Sequence, residues 1–107
     1  MANDYKNAKL DLTTTGVTTL YTAPAAKTAI FKSILVSEDS GNADTVTVTI
    51  TDASAAIFSL FKVKAVAANT TVELLSQPLV VETGEILKFT AATANRLHVV
   101  ASYLEVS

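Results

Sequence analysis

The chain contains no cysteine and no tryptophan, only three glycines and two prolines, and 17% charged residues. Each scarcity removes something. Without cysteine there are no disulfide staples, no thiolate zinc sites and no thiol nucleophile, while the redox compartment stays undecided. Gly16, Gly41 and Gly84 lie far apart, so no glycine-rich loop cradles a phosphate. The eight basic residues are scattered and the net charge is −2, which leaves no electrostatic footprint for nucleic acid. Long apolar runs are missing too. The longest uncharged stretch, Leu12 to Ala26, is interrupted by Thr13, Thr14, Thr15, Gly16 and Pro24, whereas a membrane span needs about 20 mainly apolar residues. The start, Met1-Ala2-Asn3-Asp4-Tyr5-Lys6, has an acid where a signal peptide needs basic charge, and no apolar stretch follows. Neither a membrane nor a secretory route is expected.

What is present is hydrophobic and β-branched. Half of the 107 residues are hydrophobic, so disorder, which needs low hydrophobicity and high charge, is excluded for the bulk of the chain. The length fits one domain. A chain of this size buries about 65% of the surface its unfolded form exposes, enough for one thin core.

The plainest periodic signal is Thr45-Val46-Thr47-Val48-Thr49-Ile50-Thr51. Apolar and polar residues alternate without a break, and branching at Cβ suits a pleated surface better than a helix. Val46, Val48 and Ile50 therefore face a core while the threonines face outward. Similar runs are Leu10 to Thr14, Val17 to Thr22, Thr28 to Ser37, Thr70 to Leu75, Leu79 to Glu82, Ile86 to Ala91 and Leu97 to Glu105. Between them stand turn-forming clusters such as Ser40-Gly41-Asn42-Ala43-Asp44, Ser76-Gln77-Pro78 and Thr83-Gly84-Glu85. Ala53 to Ala68 is ambiguous, because Asp52 or Ser54 could cap a helix there. The strand reading is favoured from Ile57 to Val66, where β-branched and aromatic residues cluster. It puts Ile57, Ser59, Phe61 and Val63 on one face, with Phe58, Leu60 and Lys62 on the other.

These segments predict an all-β fold: a single antiparallel β-sandwich of about eight strands, jelly-roll-like, spanning residues 10–107. Residues 1–9 are expected to be an N-terminal arm that orders on contact with a partner, or a frayed terminus. Thr28 to Ser37 is apolar on both faces, with Ile30, Ile34 and Val36 on one and Phe31 and Leu35 on the other. Ile57 to Val63 is two-faced as well. A sandwich strand buries one face, so a loop of the same chain or a neighbouring subunit must cover the second.

Catalytic chemistry finds little support. His98, the lone histidine, has no second histidine or cysteine to make a metal site or a base, so a solvated or hydrogen-bonded strand histidine is expected. Glu38, Asp39, Asp44 and Asp52 bracket two strand ends and could gather around calcium, but their spacing matches no known calcium loop. No pair of acids is placed for glycoside hydrolysis, and no serine sits in a nucleophile elbow. Asn69-Thr70-Thr71 matches a glycosylation acceptor, yet reads as a turn leading into a strand. Arg96 either binds a carboxylate or blunts a loop tip. No enzymatic activity, metal or cofactor is expected.

The order of features carries a resemblance. The run Leu20-Tyr21-Thr22-Ala23-Pro24-Ala25-Ala26 leads into the apolar strand from Thr28, then an Asn/Gly/Ala loop and the Thr/Val strand. Together with Ala68 to Leu75, Pro78 to Leu87 and Leu97 to Glu105, it resembles small virion structural proteins of tailed bacteriophages. The resemblance covers nearly the whole chain from Leu10 onward, and those proteins carry no catalytic motif to transfer. It implies a capsid decoration or cement protein that binds and stabilises the major capsid protein lattice, made in the host cytoplasm and carried on the virion. A tail, neck or fibre component is the alternative. A carbohydrate-binding module stays open as a further class, with Tyr5, Tyr21 and Tyr103 as its stacking rings. A homo-oligomer is expected, with a trimer favoured because it suits a capsid three-fold position. The expected interface residues are Tyr5, Phe31, Leu35, Phe58 and Phe61, since aromatic anchors dominate interface energetics.

Overall fold

The computed structural model describes residues 3–107, and within them the chain is all-β with no helix. The described residues form nine strands: β1 (Asn3–Asp11), β2 (Thr18–Thr22), β3 (Thr28–Glu38), β4 (Asp44–Thr51), β5 (Ile57–Val66), β6 (Thr71–Glu73), β7 (Leu79–Val81), β8 (Ile86–Ala91) and β9 (Leu97–Val106). They make two antiparallel sheets. One has the order β1-β9-β3-β6, with β7 also on the free side of β3; the other runs β2-β8-β4-β5.

The sheets pack face to face and share one core. Leu12, Phe31, Ile34, Leu87, Phe89 and Leu97 are fully buried in it, each stabilising the fold by roughly 1.5–3 kcal/mol relative to exposure. Val46 and Val48 of β4 point inward as their alternation requires. At one end of the core Tyr21, Phe31 and Tyr103 form an aromatic cluster. Phe31 stacks on Tyr103 with ring centroids 4.8 Å apart, and Tyr21 meets Phe31 edge-on at 5.3 Å.

Three expectations about the strands need correction. The first concerns the amino terminus, expected to be irregular over 1–9. From Asn3 it is a strand, paired residue by residue with β9 through Asp11. Its side chains are mostly exposed, so the backbone ladder to β9 holds it rather than burial. Met1 and Ala2 of the expected arm lie outside the described residues.

The second concerns β3. Its pairing with β9 shifts register between Phe31 and Ser33, which marks a β-bulge at Lys32. A bulge inserts one residue and reverses the parity of everything beyond it. Ala29 and Phe31 before it, and Ile34, Val36 and Glu38 after it, are therefore all buried. Phe31 does not share a face with Leu35; it belongs to the core.

The third concerns β5. Its strand state holds, but its pairing with β4 shifts twice, between Val46 and Val48 and between Val48 and Thr49. Strict alternation of Ile57, Ser59, Phe61 and Val63 is lost. Leu60 and Phe61 are both half-buried, and Val63 takes a left-handed φ of 53°, unusual for a β-branched residue. Its freed N–H donates to Thr47 Oγ1 at 3.1 Å.

Candidate interaction surface

Three glutamates turn out to be structural, and the alternation of strand residues explains why they lie where they do. Glu38 follows Ile34 and Val36 on the inward parity of β3 and is buried. Its carboxylate accepts from the Ser40 N–H and hydroxyl, the Gly41 N–H and the Asn69 N–H, tying the 39–42 loop to the turn before β6. Burial pushes its pKa up, but the Ser40 hydroxyl and those backbone N–H groups outweigh that and hold it at about 2. Glu73 fills the gap on the β3 edge opposite the Lys32 bulge, between β7 and β6. It accepts from the Ser33 hydroxyl, from Ile34 N–H at 2.7 Å and from Leu75 N–H at 3.2 Å. Against the opposing effect of burial, these bonds lower its pKa.

Glu105 continues the inward series Val99, Ala101, Tyr103 in β9 and is buried under the aromatic cluster. It accepts from Tyr21 Oη at 2.6 Å and Lys6 Nζ at 2.9 Å, with Lys27 Nζ at 3.6 Å. The Tyr21 hydroxyl and the Lys6 ammonium hold its carboxyl below the usual range. Burial, then donation to Glu105, pushes the Tyr21 phenol up. One buried carboxylate thus links β1, β2 and β9.

The other polar candidates fold back on their own neighbourhoods. Asp44 accepts from Thr93 N–H at 3.1 Å, and Asp52 accepts from the N–H groups of Ser54 and Ala56 at 2.9 Å. Among the described residues no three His, Cys, Asp or Glu side chains converge as a metal site. His98 is half-exposed, with Nε2 at 3.3 Å from Asp11 and Nδ1 at 3.5 Å from Asp39. Arg96 donates to the Ala43 carbonyl at 2.9 Å rather than to a carboxylate. Asn69 occupies a left-handed turn position before β6.

The apolar candidates divide between the core and two surfaces. Phe31 is core, as described. Tyr5, 78% exposed, and Leu35 lie on the outer face of the five-stranded sheet. Directly paired residues of an antiparallel ladder share a face, so register defines the rows there. Tyr5, Leu104, Ile30 and Val80 form one continuous row across β1, β9, β3 and β7. Val100 and Leu35 are paired two rows along.

Phe58 and Phe61 lie on the second surface, at the open side of the sandwich. Phe61 pairs with Val48 and Phe58 with Ile50, so both are on the core-facing side of β5 where the other sheet does not cover them fully. Phe61 and Leu60 line a shallow apolar cleft whose far wall is Leu74, Leu75, Pro78 and Leu79. Phe58 stands farther along β5 and is 54% exposed, beside the exposed Ile57. The five expected interface residues are therefore not one patch.

Sequence reading missed Ile30, Leu104 and Val80 as partners of Tyr5. Strand-by-strand alternation shows a face but not the register that aligns four strands into a row. Tyr21 and Tyr103 are buried, which leaves Tyr5 as the one exposed tyrosine ring for stacking a sugar among the described residues. No protein family, curated protein or solved structure significantly matches the chain.

Proposed function

We propose that this chain is a structural protein of a bacteriophage virion, a decoration or cement protein that binds the major capsid protein lattice. The observation that carries the reading is the pair of unpartnered apolar surfaces, one across a sheet face and one at the open edge. A protein that reinforces a lattice needs contacts of this kind, large enough to hold in a repeating array and modest enough to leave the free protein soluble. The resemblance of Leu20 to Val36 and of the later strands to tailed-phage virion proteins supplies the class of partner.

Strand order supports a jelly-roll reading of the sandwich. Pairing runs from the ends of the chain inward: β1 with β9, β2 with β8, β3 with β6 and β7, β4 with β5. This is a long hairpin rolled into two sheets. Counting β6 and β7 as halves of one interrupted strand gives eight strands, the number of the double-sheet jelly rolls common in viral capsids. Fold alone does not fix function, so the surfaces must be tested directly.

The open-edge surface is assigned to the capsid. Particles assembled without this protein should take up the purified wild-type chain in a co-sedimentation assay. Phe58→Ser, at an exposed position, should reduce uptake at least about tenfold while leaving the thermal midpoint close to wild type. Uptake unchanged by Phe58→Ser and by Ile57→Ser would remove this edge from the capsid contact, and no uptake by wild type would reject the cement reading.

A further inference from the structure

The outer face of the five-stranded sheet has an order that fits itself. Across β1, β9, β3 and β7 the first row reads Tyr5, Leu104, Ile30, Val80. Two rows along, across β1, β9, β3 and β6, the order is Lys9, Val100, Leu35, Glu73. Apolar side chains occupy the middle of both rows, and charges of opposite sign stand at the two ends of the second.

We infer that this face docks against the same face of a second copy, about a two-fold axis running along the strands between β9 and β3. Such an axis exchanges left and right while keeping each row at its own height. Tyr5 then meets Val80 of the second copy, Leu104 meets Ile30, Val100 meets Leu35, and Lys9 stands opposite Glu73. An axis lying across the strands would instead press Glu73 onto Val80, placing a carboxylate against an apolar side chain, which is costly without a partner. The strand-parallel axis gives two rows of apolar contacts, separated by a polar row of Asn7, Ser102 and Ser33 with the exposed Lys32 beside it, and two opposite-charge pairs at the rim, a self-complementary arrangement.

Size sets the strength of the association. Four strands about 4.8 Å apart and nine residues rising about 3.4 Å each give a face of roughly 550 Å² per copy. Both copies together bury about 1,100 Å², at the lower end of specific interfaces. Contacts of this size are mostly transient, so the dimer should form and dissociate reversibly. This self-association goes beyond the virion reading: it occupies the sheet face and leaves the open edge for the capsid.

Sedimentation velocity of the purified full chain, from low micromolar to near-millimolar concentration, should show monomer converting to dimer. Lys9→Glu sets like charges face to face, and Tyr5→Ser removes an exposed anchor; each should weaken dimerisation at least about tenfold. Neither side chain is in the core, so both variants should keep the wild-type thermal midpoint. A cysteine pair gives a second readout, clean because the chain has no cysteine. Within one copy, positions 5 and 80 are three strand spacings apart, about 14 Å. Facing sheets stand about 10 Å apart, so a bismaleimide of about that reach should join Tyr5→Cys of one copy to Val80→Cys of the other and give a covalent dimer, whereas each single variant should not. Monomer at every concentration, a trimer, or a dimer that resists both substitutions and fails to cross-link would overturn the inference. None of those outcomes bears on uptake by particles, which tests the virion reading separately.

Discussion

Replacing Phe31 by alanine tests the bulge that decides which residues of β3 are core. Phe31 is fully buried, stacked on Tyr103 at 4.8 Å and met edge-on by Tyr21 at 5.3 Å. Truncating a buried phenylalanine costs about 3–5 kcal/mol through lost transfer energy and the cavity left behind. The two ring contacts, about 0.5–1.5 kcal/mol each beyond their area, place this site toward the upper end. Leu35, 39% exposed on the outer face, encloses no cavity when truncated, and Leu35→Ala should cost only about 1 kcal/mol. Urea denaturation at matched protein concentration gives both values. In thermal unfolding, the Phe31→Ala loss corresponds to a drop of roughly 15–30 °C for a domain of this size. Total stability of such a domain is about 5–15 kcal/mol, so Phe31→Ala removes from about a third to nearly all of it. Phe31→Leu, which keeps much of the volume, should cost about 1–2 kcal/mol and remain measurable. Near-equal costs for Phe31→Ala and Leu35→Ala would refute the inverted parity beyond Lys32. So would a Phe31→Ala variant within about 1 kcal/mol of wild type.

Acid should destabilise the fold through its structural glutamates. The folded pKa of Glu38 is depressed to about 2 from the ordinary 4.5, so its stabilisation is complete above pH 4.5 and is lost as pH falls through 2. Glu73 and Glu105 shift in the same direction. Urea midpoints measured from pH 7 down to pH 2 should fall below about pH 4.5, and less steeply in Glu38→Gln; an identical slope in that variant would remove Glu38 from the acid response. Thr51 Oγ1 is buried without a hydrogen-bond partner among the described residues, so the near-isosteric Thr51→Val should raise stability by about 1 kcal/mol. A loss instead would mean that the hydroxyl has a partner in solution. Gly84 has a φ of +84°, and a Cβ there would lie 3.3 Å from the Ala53 Cβ. Gly84→Ala should therefore cost about 1–2 kcal/mol, whereas Gly16→Ala, whose Cβ would meet only Thr14 Oγ1 at an ordinary 3.7 Å, should be neutral or stabilising by about 0.4–1 kcal/mol. Thermal midpoints of the two variants moving together would contradict the left-handed turn at Gly84.

Much of the architecture was legible because period-2 alternation is a direct consequence of strand geometry. Thr45 to Thr51 and Leu97 to Glu105 announced themselves in that way, and β5 was separated from a helix by its β-branched and aromatic residues. What failed was whatever depends on a partner strand. The Lys32 bulge moved Phe31 from an expected interface into the core; the available signal was two adjacent polar residues, Lys32-Ser33, inside an apolar run. β1 escaped notice because its pairing to β9 needs no apolar period, although Ala8 and Leu10 alternate with Asn7, Lys9 and Asp11. Glu105 sat in plain view on the inward parity of Val99, Ala101 and Tyr103. A core position for an acid is unusual unless it is paired, and its partners Tyr21, Lys6 and Lys27 come from distant parts of the chain. The Tyr5 row across four strands needed four registers at once, which no single segment encodes.

The functional claim is most directly tested by counting copies. Quantitative mass spectrometry of purified virions, referenced to the major capsid protein, gives the ratio. The cement reading predicts near one to one, or one to three for single copies on trimeric sites. A few copies to a few dozen per particle would place the protein in the tail, neck or fibre instead, and complete absence would contradict both virion readings.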